Sequence, residues 1–148
     1  MSSIISAIGI SNPAHRFPQD SILDFMIAAH GLEDANAGRL KKLYDASGIA
    51  FRHSVIEDFG REKGDYTFFG NGEALQPFPT TQDRGLLYEQ TALTIAMEAV
   101  ANCLKPAGTM ASEITHLITV SCTGMYAPGL DIELVEHLGL KPTVERTC

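Results

Sequence analysis

The stretch that decides the fold lies in the last third of the chain and reads Ile114-Thr115-His116-Leu117-Ile118-Thr119-Val120-Ser121-Cys122-Thr123-Gly124. Its apolar residues occupy both odd and even positions, which is typical of a strand covered on both faces. We therefore expect a buried strand over residues 116–122, followed by a turn that starts at Thr123-Gly124. Such strands occur in parallel or mixed sheets under helices, so the stretch predicts an α/β fold.

Downstream of this strand, Pro128-Gly129 leads into a predicted helix that ends at Gly139. The helical spacing places three apolar side chains inward: Ile132, Val135 and Leu138. Residues 144–148 begin like a strand and then stop without a turn or a cap. That ending indicates a truncated domain.

Three further helices are predicted upstream from their apolar periods. The strongest covers residues 83–104, with a stripe formed by Leu86, Leu93, Met97, Val100 and Leu104. Another begins at Pro18, is closed by Gly31 and places on one stripe Ile22, Phe25, Met26 and Ala29. A third runs from about residue 35 to residue 46, with apolar contacts from Leu40, Leu43 and Tyr44.

Two upstream strands and one long irregular segment complete the expected order. Residues 4–10 are apolar and β-branched, which predicts a short buried strand. Residues 49–55 alternate apolar and polar side chains, which suits a strand exposed on one side. Residues 57–82 are rich in glycine, proline and aromatic residues. Because a solvated linker carries few aromatics, we expect this segment to pack, with a neighbouring subunit as one candidate partner.

Composition indicates a globular chain and excludes several function classes. The 148 residues are 45% hydrophobic and 20% charged, with a formal net charge of −7. This charge argues against nucleic acid or an anionic membrane as a general partner. No signal peptide is recognised at the N-terminus, and no apolar run reaches the ~18 residues that membrane insertion needs. Three cysteines without metal-ligand spacing predict reduced thiols in a cytoplasm and no metal site.

Ordered motifs along nearly the whole chain carry a resemblance to a known family. They comprise residues 114–124 and Ala127-Pro128-Gly129-Leu130-Asp131, Leu138-Gly139-Leu140, Ala7-Ile8-Gly9, Asn12-Pro13, residues 44–49 and Arg52-His53. Together they closely resemble type III polyketide synthases, the chalcone-synthase-like branch of the thiolase-fold condensing enzymes. The Ser-Cys-Thr-Gly and Ala-Pro-Gly variants are similar to its bacterial members.

The resemblance implies both a fold and a reaction. The expected fold is the N-terminal half of a thiolase-like layered α-β-α core, a mixed sheet covered by helices, with residues 1–148 as one truncated domain. The implied homodimeric enzyme, with naringenin-chalcone synthase as its reference activity, loads an acyl group from acyl-CoA onto a cysteine. It extends that group by decarboxylative condensation with malonyl-CoA, without a tightly bound cofactor. The resemblance places the nucleophile a few residues after Arg146 and the catalytic histidine and asparagine further on. We therefore expect no catalytic residue in this chain and no activity from it alone.

A basic cluster is the best binding signal. Arg39 and Lys42 are three residues apart, so they share one helical face. The resemblance implies that coenzyme A phosphates are held at positions matched by Arg39, Lys42 and Ala46. Because Ala46 carries no charge, a weakened or rearranged phosphate site is expected. The alternative is an ordinary solvated helix face.

The loop before the last helix is the second candidate site. The resemblance assigns Cys122, Thr123 and Gly124 to the substrate pocket. It assigns the dimer and pocket loop to Met125, Ala127 and Pro128, and it implies a cis bond at Ala127-Pro128 and room for longer acyl chains at Ala127. The alternative is a trans turn with proline at the first helical position.

Other candidate groups receive structural interpretations. Cys148 lies in a predicted strand, and Cys122 and His116 are six residues apart on one strand, so neither gives a convincing nucleophile. Asp131 near a helix N-terminus is expected to offset the helix dipole. Arg52 and His53 are assigned no chemistry.

Two other readings remain open at this point. One is a different thiolase-fold condensing enzyme of the ketoacyl synthase III type. The other is a short non-catalytic module that dimerises or binds acyl-CoA. If the chain is half of a layered fold, it is expected on its own to expose apolar surface and to associate.

Overall fold

The computed structural model describes residues 3–122, 124 and 126–148. The chain forms two compact units. One comprises residues 12–80, and the other combines the N-terminal segment up to Ser11 with residues 81–148. Each unit contains helices and a two-stranded sheet, in agreement with the predicted α/β class.

In the unit of residues 12–80, two helices lie in the chain between the two strands of a short antiparallel sheet. Strand β1 (His15–Pro18) pairs with strand β2 (Phe51–Ser54), and His15 lies opposite Ser54. A strand is confirmed within the predicted residues 49–55, but Ile49 and Phe51 are 40% and 45% exposed, so the expected burial of its apolar face is wrong. Strand β1 was not predicted. Pro18 ends β1 because proline has no backbone N–H for the ladder, and helix α1 begins at the next residue.

Helices α1 (Gln19–Ala29) and α2 (Asp34–Ala46) lie where their sequence patterns predict them. Helix α1 buries four apolar side chains, namely Ile22, Leu23, Phe25 and Ala29. Helix α2 buries no side chain completely. Leu40 and Tyr44 are half-buried, as expected for apolar contacts, but Leu43 is 65% exposed, so its predicted contact is wrong.

The aromatic residues of the irregular segment pack within their own unit. The ring of Phe25 in α1 lies 4.9 Å from Phe59, 5.4 Å from Tyr66 and 5.0 Å from Phe69, centroid to centroid. All three pairs meet edge to face, the arrangement that the ring quadrupoles favour. The irregular segment therefore packs, as expected, and its partner is helix α1 of the same unit.

A buried carboxylate organises the backbone beneath these rings. Asp58 is fully buried and accepts hydrogen bonds from the backbone N–H groups of Thr67, Phe68 and Phe69 at 2.8–2.9 Å. The Thr67 hydroxyl adds a fourth bond at 3.1 Å. Burial alone would raise the pKa of Asp58, but these donors outweigh burial and lower it. The carboxylate thus fixes the path of the loop.

In the other unit, helices α3 (Thr81–Ala107) and α4 (Leu130–Leu138) accompany a parallel pair of strands. Strand β3 (His116–Ile118) pairs with strand β4 (Glu145–Thr147), as predicted for a parallel or mixed sheet. Helix α4 ends at Gly139, which has a left-handed φ of 63°. Its most buried apolar side chain is Leu134, while Ile132, Val135 and Leu138 are only half-buried.

Two expectations about burial are wrong. Residues 4–10 form no strand in the described structure, and Ile4 and Ile5 are each 83% exposed. This segment instead contacts α3, where the Asn102 side chain donates to the Ile10 carbonyl at 3.0 Å. Strand β3 is only three residues long, and no described element covers Val120, which is 93% exposed. Strand-forming composition therefore did not produce burial here, because burial also needs a neighbouring element.

Membrane insertion depends on the length and hydropathy of a helix. Among the described residues, none of the helices has the length and apolar character that crossing a bilayer requires.

Candidate functional site

The first candidate site is the exposed face of α2. Arg39 and Lys42 are both exposed on this helix, and Arg39 Nη1 lies 3.4 Å from Asn36 Oδ1. In the described part of the chain, neither residue has a carboxylate within ion-pair distance. The helix therefore presents two cations to solvent, and Ala46 lies one turn beyond Lys42 on the same face.

A cleft of about 350 Å³ opens at the end of this face. Ala46, Tyr44 and Ser47 line it from the C-terminal end of α2, and Arg52 lines it from β2. The Arg52 Nε donates to Gln19 Oε1 at 2.7 Å, and the guanidinium carbon lies 5.8 Å from the Tyr44 ring centroid. Arg52, to which the sequence analysis assigned no chemistry, thus lies beside the uncharged position of the basic cluster.

The second candidate site is a cleft of about 730 Å³ in the unit of residues 81–148. Cys122, Gly124 and Tyr126 form one wall, and the first two turns of α3, from Thr81 to Glu89, form the other. The structure therefore brings together two of the predicted pocket residues. Thr123 and Met125, the other residues predicted for this loop, lie outside the described residues.

Backbone geometry explains two features of this loop. Gly124 has φ 80°, and a Cβ at this position would overlap the ring of Tyr88. Only glycine combines that left-handed conformation with so close an approach. The Ala127-Pro128 bond is cis, as the resemblance implied, and Ala127 is exposed.

Tyr126 anchors the loop to α4 through its hydroxyl, which donates to the Glu133 carboxylate. Its ring also meets Tyr88 edge-on at 6.1 Å. Burial, and then the hydrogen bond to Glu133, raise the pKa of Tyr126 far above that of a free tyrosine. The phenol therefore stays protonated and acts as a donor at neutral pH. This role could not be predicted from the sequence, because a tyrosine in a turn carries no distinctive pattern.

An ion pair between a buried carboxylate and an exposed arginine joins β4 to the start of α4. Arg146 Nη1 donates to Asp131 Oδ2, and Asp131 is only 7% exposed. Burial would raise the pKa of Asp131, but hydrogen bonds from Arg146 and Cys148 lower it. Asp131 is thus a tertiary anchor as well as an acid in the first turn of its helix, which corrects the dipole-only interpretation.

The thiols lie in surroundings that differ from those of a Cys-His pair. Cys148 is exposed and bonds to the Asp131 carboxylate, so its partner is an acid and not an imidazole. His116, the other member of the rejected Cys122 pair, lies 3.1 Å from Glu145 and 2.9 Å from the Thr115 hydroxyl. Both ring nitrogens therefore have other partners. Among the described residues, no group of three or more His, Cys, Asp or Glu side chains could hold a metal ion.

Comparison with known proteins gives consistent results. The family model described as "Chalcone and stilbene synthases, N-terminal domain" matches residues 2–148. The chain is 30% identical over 145 residues to 1,3,6,8-tetrahydroxynaphthalene synthase of Streptomyces peucetius subsp. caesius, covering 96% of this chain and 34% of that protein. It is 28% identical over 144 residues to probable polyketide synthase 1 of Dictyostelium discoideum, covering 97% of this chain and 4% of that one.

Solved structures agree with these matches. PKS-I from the brown alga Ectocarpus siliculosus aligns with a TM-score of 0.77 at 30% identity, over 97% of this chain and 38% of that one. The type III polyketide synthase that forms 1,3,6,8-tetrahydroxynaphthalene in Streptomyces coelicolor A3(2) aligns with a TM-score of 0.69 at 24% identity, over 94% of this chain and 36% of that one. The chain thus spans little more than a third of the length of these two enzymes.

Proposed function

The chain belongs to the chalcone and stilbene synthase family, and from this membership we propose that the full-length protein is a type III polyketide synthase. Its fold is the N-terminal half of the thiolase-like α/β fold of its relatives, as the sequence predicted. In the proposed reaction, an acyl group moves from a coenzyme A thioester to a cysteine. Decarboxylation of malonyl-CoA then supplies the carbanion that extends it.

This chemistry needs a thiolate next to an imidazole, with donors that stabilise the thioester oxyanion and the enolate. The thiols of Cys122 and Cys148 do not fit that requirement, for the reasons given above. We therefore place the nucleophile and its partners in the part of the enzyme beyond residue 148. The 148-residue chain by itself is then a scaffold for substrate binding, without activity of its own.

Arg39 and Lys42 are proposed to hold the phosphates of the coenzyme A substrates. They are exposed cations that share one helical face, and no carboxylate of the described chain pairs with them. On a chain with a net charge of −7, a local cationic face is a favourable place for a polyanion. No metal or tightly bound cofactor is part of the proposal.

The cleft of about 730 Å³ is proposed as part of the pocket for the starter acyl group. Cys122 and Gly124 line it, while Thr123 is assigned to it by sequence alone. Ala127, with Met125 and Pro128, is proposed to reach the cavity of the second subunit in a homodimer. The small alanine side chain would leave room there for a long acyl chain.

The match of the family model across residues 2–148 is the observation that carries this proposal. The test is to incubate the full-length protein with malonyl-CoA and a series of acyl-CoA starters. The series runs from short to long acyl groups and includes the aromatic acyl-CoA from which naringenin chalcone is formed. Mass spectrometry should detect extended products, and CO₂ release should accompany them. The 148-residue chain should yield neither, and CO₂ release by this chain alone would contradict the assignment of the nucleophile.

The two alternatives are less well supported. The relatives named above are polyketide synthases or enzymes that form polyketide products. None is a ketoacyl synthase III or a non-catalytic acyl-CoA-binding module. We also propose a cytoplasmic location, on the basis of the reduced cysteines and the coenzyme A substrates.

A further inference from the structure

We propose that Arg52 supplies the positive charge that Ala46 lacks in the coenzyme A phosphate site. The inference rests on the proposed function, because it adds one residue to the site at Arg39 and Lys42. It concerns a residue on a different element, since Arg52 comes from β2 and not from α2.

Position is the first argument. Arg39, Lys42 and Ala46 follow one another at intervals of three and four residues, so they form one stripe along α2. The stripe leads into the cleft of about 350 Å³, where Ala46 and Arg52 line the same space. Because alanine ends at its Cβ, the volume of a longer side chain at position 46 stays open to the Arg52 guanidinium.

Orientation is the second argument. Gln19 is 5% exposed, and its Oε1 accepts the Arg52 Nε–H at 2.7 Å. Its Nε2 in turn donates to Ser47 Oγ at 3.3 Å, and the Ser47 hydroxyl donates to the Tyr44 carbonyl at 2.7 Å. In the described part of the structure, this chain of bonds holds the guanidinium through Nε. The two terminal Nη groups, which form the fork suited to a phosphate, are left for a ligand.

Electrostatics around the cleft is the third argument. An anion near a helix C-terminus is normally repelled by the last carbonyl groups. Here Ser47 donates to Tyr44 O from its hydroxyl and to Leu43 O from its backbone N–H, and Gly48 N–H donates to Asp45 O. These bonds reduce the repulsion. Among the described residues, Arg52 forms no ion pair with a carboxylate that would neutralise it.

The test compares two thioesters of the same acyl group in the full-length enzyme. One is the coenzyme A thioester, and the other is the N-acetylcysteamine thioester, which has no phosphate. In the R52Q variant we expect the KM for the coenzyme A thioester to rise roughly fivefold to tenfold, with kcat within about twofold. The loss in kcat/KM should be several times larger with the coenzyme A thioester than with the phosphate-free one. Equal losses with both would mean that Arg52 has a structural role only, and would overturn the inference.

Rescue and control variants separate charge from folding. Because A46K puts a cation into the same cleft, the R52Q/A46K double variant should recover most of the lost affinity. If A46K gives no recovery, the inference is wrong. R16Q is the matched control, because Arg16 lies in the same sheet and stacks on the Phe51 ring at 3.5 Å, and it should leave the thioester preference unchanged. If R52Q unfolds in a thermal melt, A46K in the wild-type background should still lower the KM for the coenzyme A thioester but not for the other.

The outcomes also distinguish this inference from the proposed function. Wild-type enzyme without any saturable activity toward coenzyme A thioesters would refute the proposed function itself. A higher KM in R39A/K42A together with an unchanged KM in R52Q would refute only the role of Arg52.

Discussion

Replacing Asp58 tests how the irregular segment is held in place. This carboxylate receives two bonds at each oxygen: the Thr67 N–H and hydroxyl at Oδ1, and the Phe68 and Phe69 N–H groups at Oδ2. D58N keeps an acceptor at Oδ1 but places an NH₂ group against the two donors at Oδ2. Two charge-assisted bonds are lost, each worth about 1.5–3 kcal/mol, so local opening should become at least about 3 kcal/mol easier.

Hydrogen exchange followed by mass spectrometry measures this opening directly in the full-length protein. A change of about 3 kcal/mol corresponds to exchange on the order of 100-fold faster at the amides of Phe68 and Phe69. D65N is the control, because Asp65 is an exposed carboxylate of the same loop. Acceleration below about threefold in D58N would show that the carboxylate does not hold this backbone.

The pH dependence of the same hydrogen exchange gives a second test of the role of Asp58. The pKa of Asp58 is lower in the folded protein than in the unfolded chain. Its stabilisation is therefore fully present above the unfolded value of about 3.9 and is lost as the pH falls through the folded value. Protection of Phe68 and Phe69, corrected for intrinsic exchange, should decrease in that acidic range in the wild type and stay level in D58N.

Further predictions concern the two sites and the isolated chain. R39A/K42A in the full-length enzyme should raise the KM for malonyl-CoA roughly tenfold or more, and an unchanged KM at low salt would remove the phosphate-site proposal. A127M should shift the starter preference toward shorter acyl chains in a competition assay, and an unaltered product profile would argue against a pocket role for this residue. R146M leaves the Asp131 carboxylate without its ion-pair partner and should lower the midpoint of thermal unfolding by several degrees. An unchanged midpoint would show that the pair does not stabilise the fold. The 148-residue chain should associate in analytical ultracentrifugation because its apolar side chains are exposed, and a sedimenting monomer would contradict this.

Local sequence patterns were sufficient to place the helices and the family. Proline and glycine act on the backbone of their immediate neighbours, so Pro18, Gly31 and Gly139 mark helix ends that the structure confirms. The apolar periods of α1 and α3 likewise depend on residues three and four apart. The ordered motifs from Ala7 to Leu140 identified the family, and the cis bond at Ala127-Pro128 agrees with it.

Burial was harder to predict than secondary structure. The apolar residues of segment 4–10 and of the strand predicted over residues 116–122 have strand-forming composition, yet Ile4 and Val120 are largely exposed. The type of a residue determines how much free energy its side chain gains by leaving water. It does not record which element covers that side chain, and the described chain supplies none at these positions.

Only the tertiary structure decided which distant residues meet. Gln19 and Arg52 are 33 positions apart, and the pairing of β1 with β2 brings them to the end of α2. Asp58 meets Phe69 across eleven positions of irregular backbone, and Asp131 meets Arg146 across fifteen. The patterns that predict a helix involve residues within one or two turns of each other. Contacts between distant residues depend instead on how whole helices and strands pack. For that reason the sequence determined the helices and the family, and the folded chain determined the surroundings of Arg52.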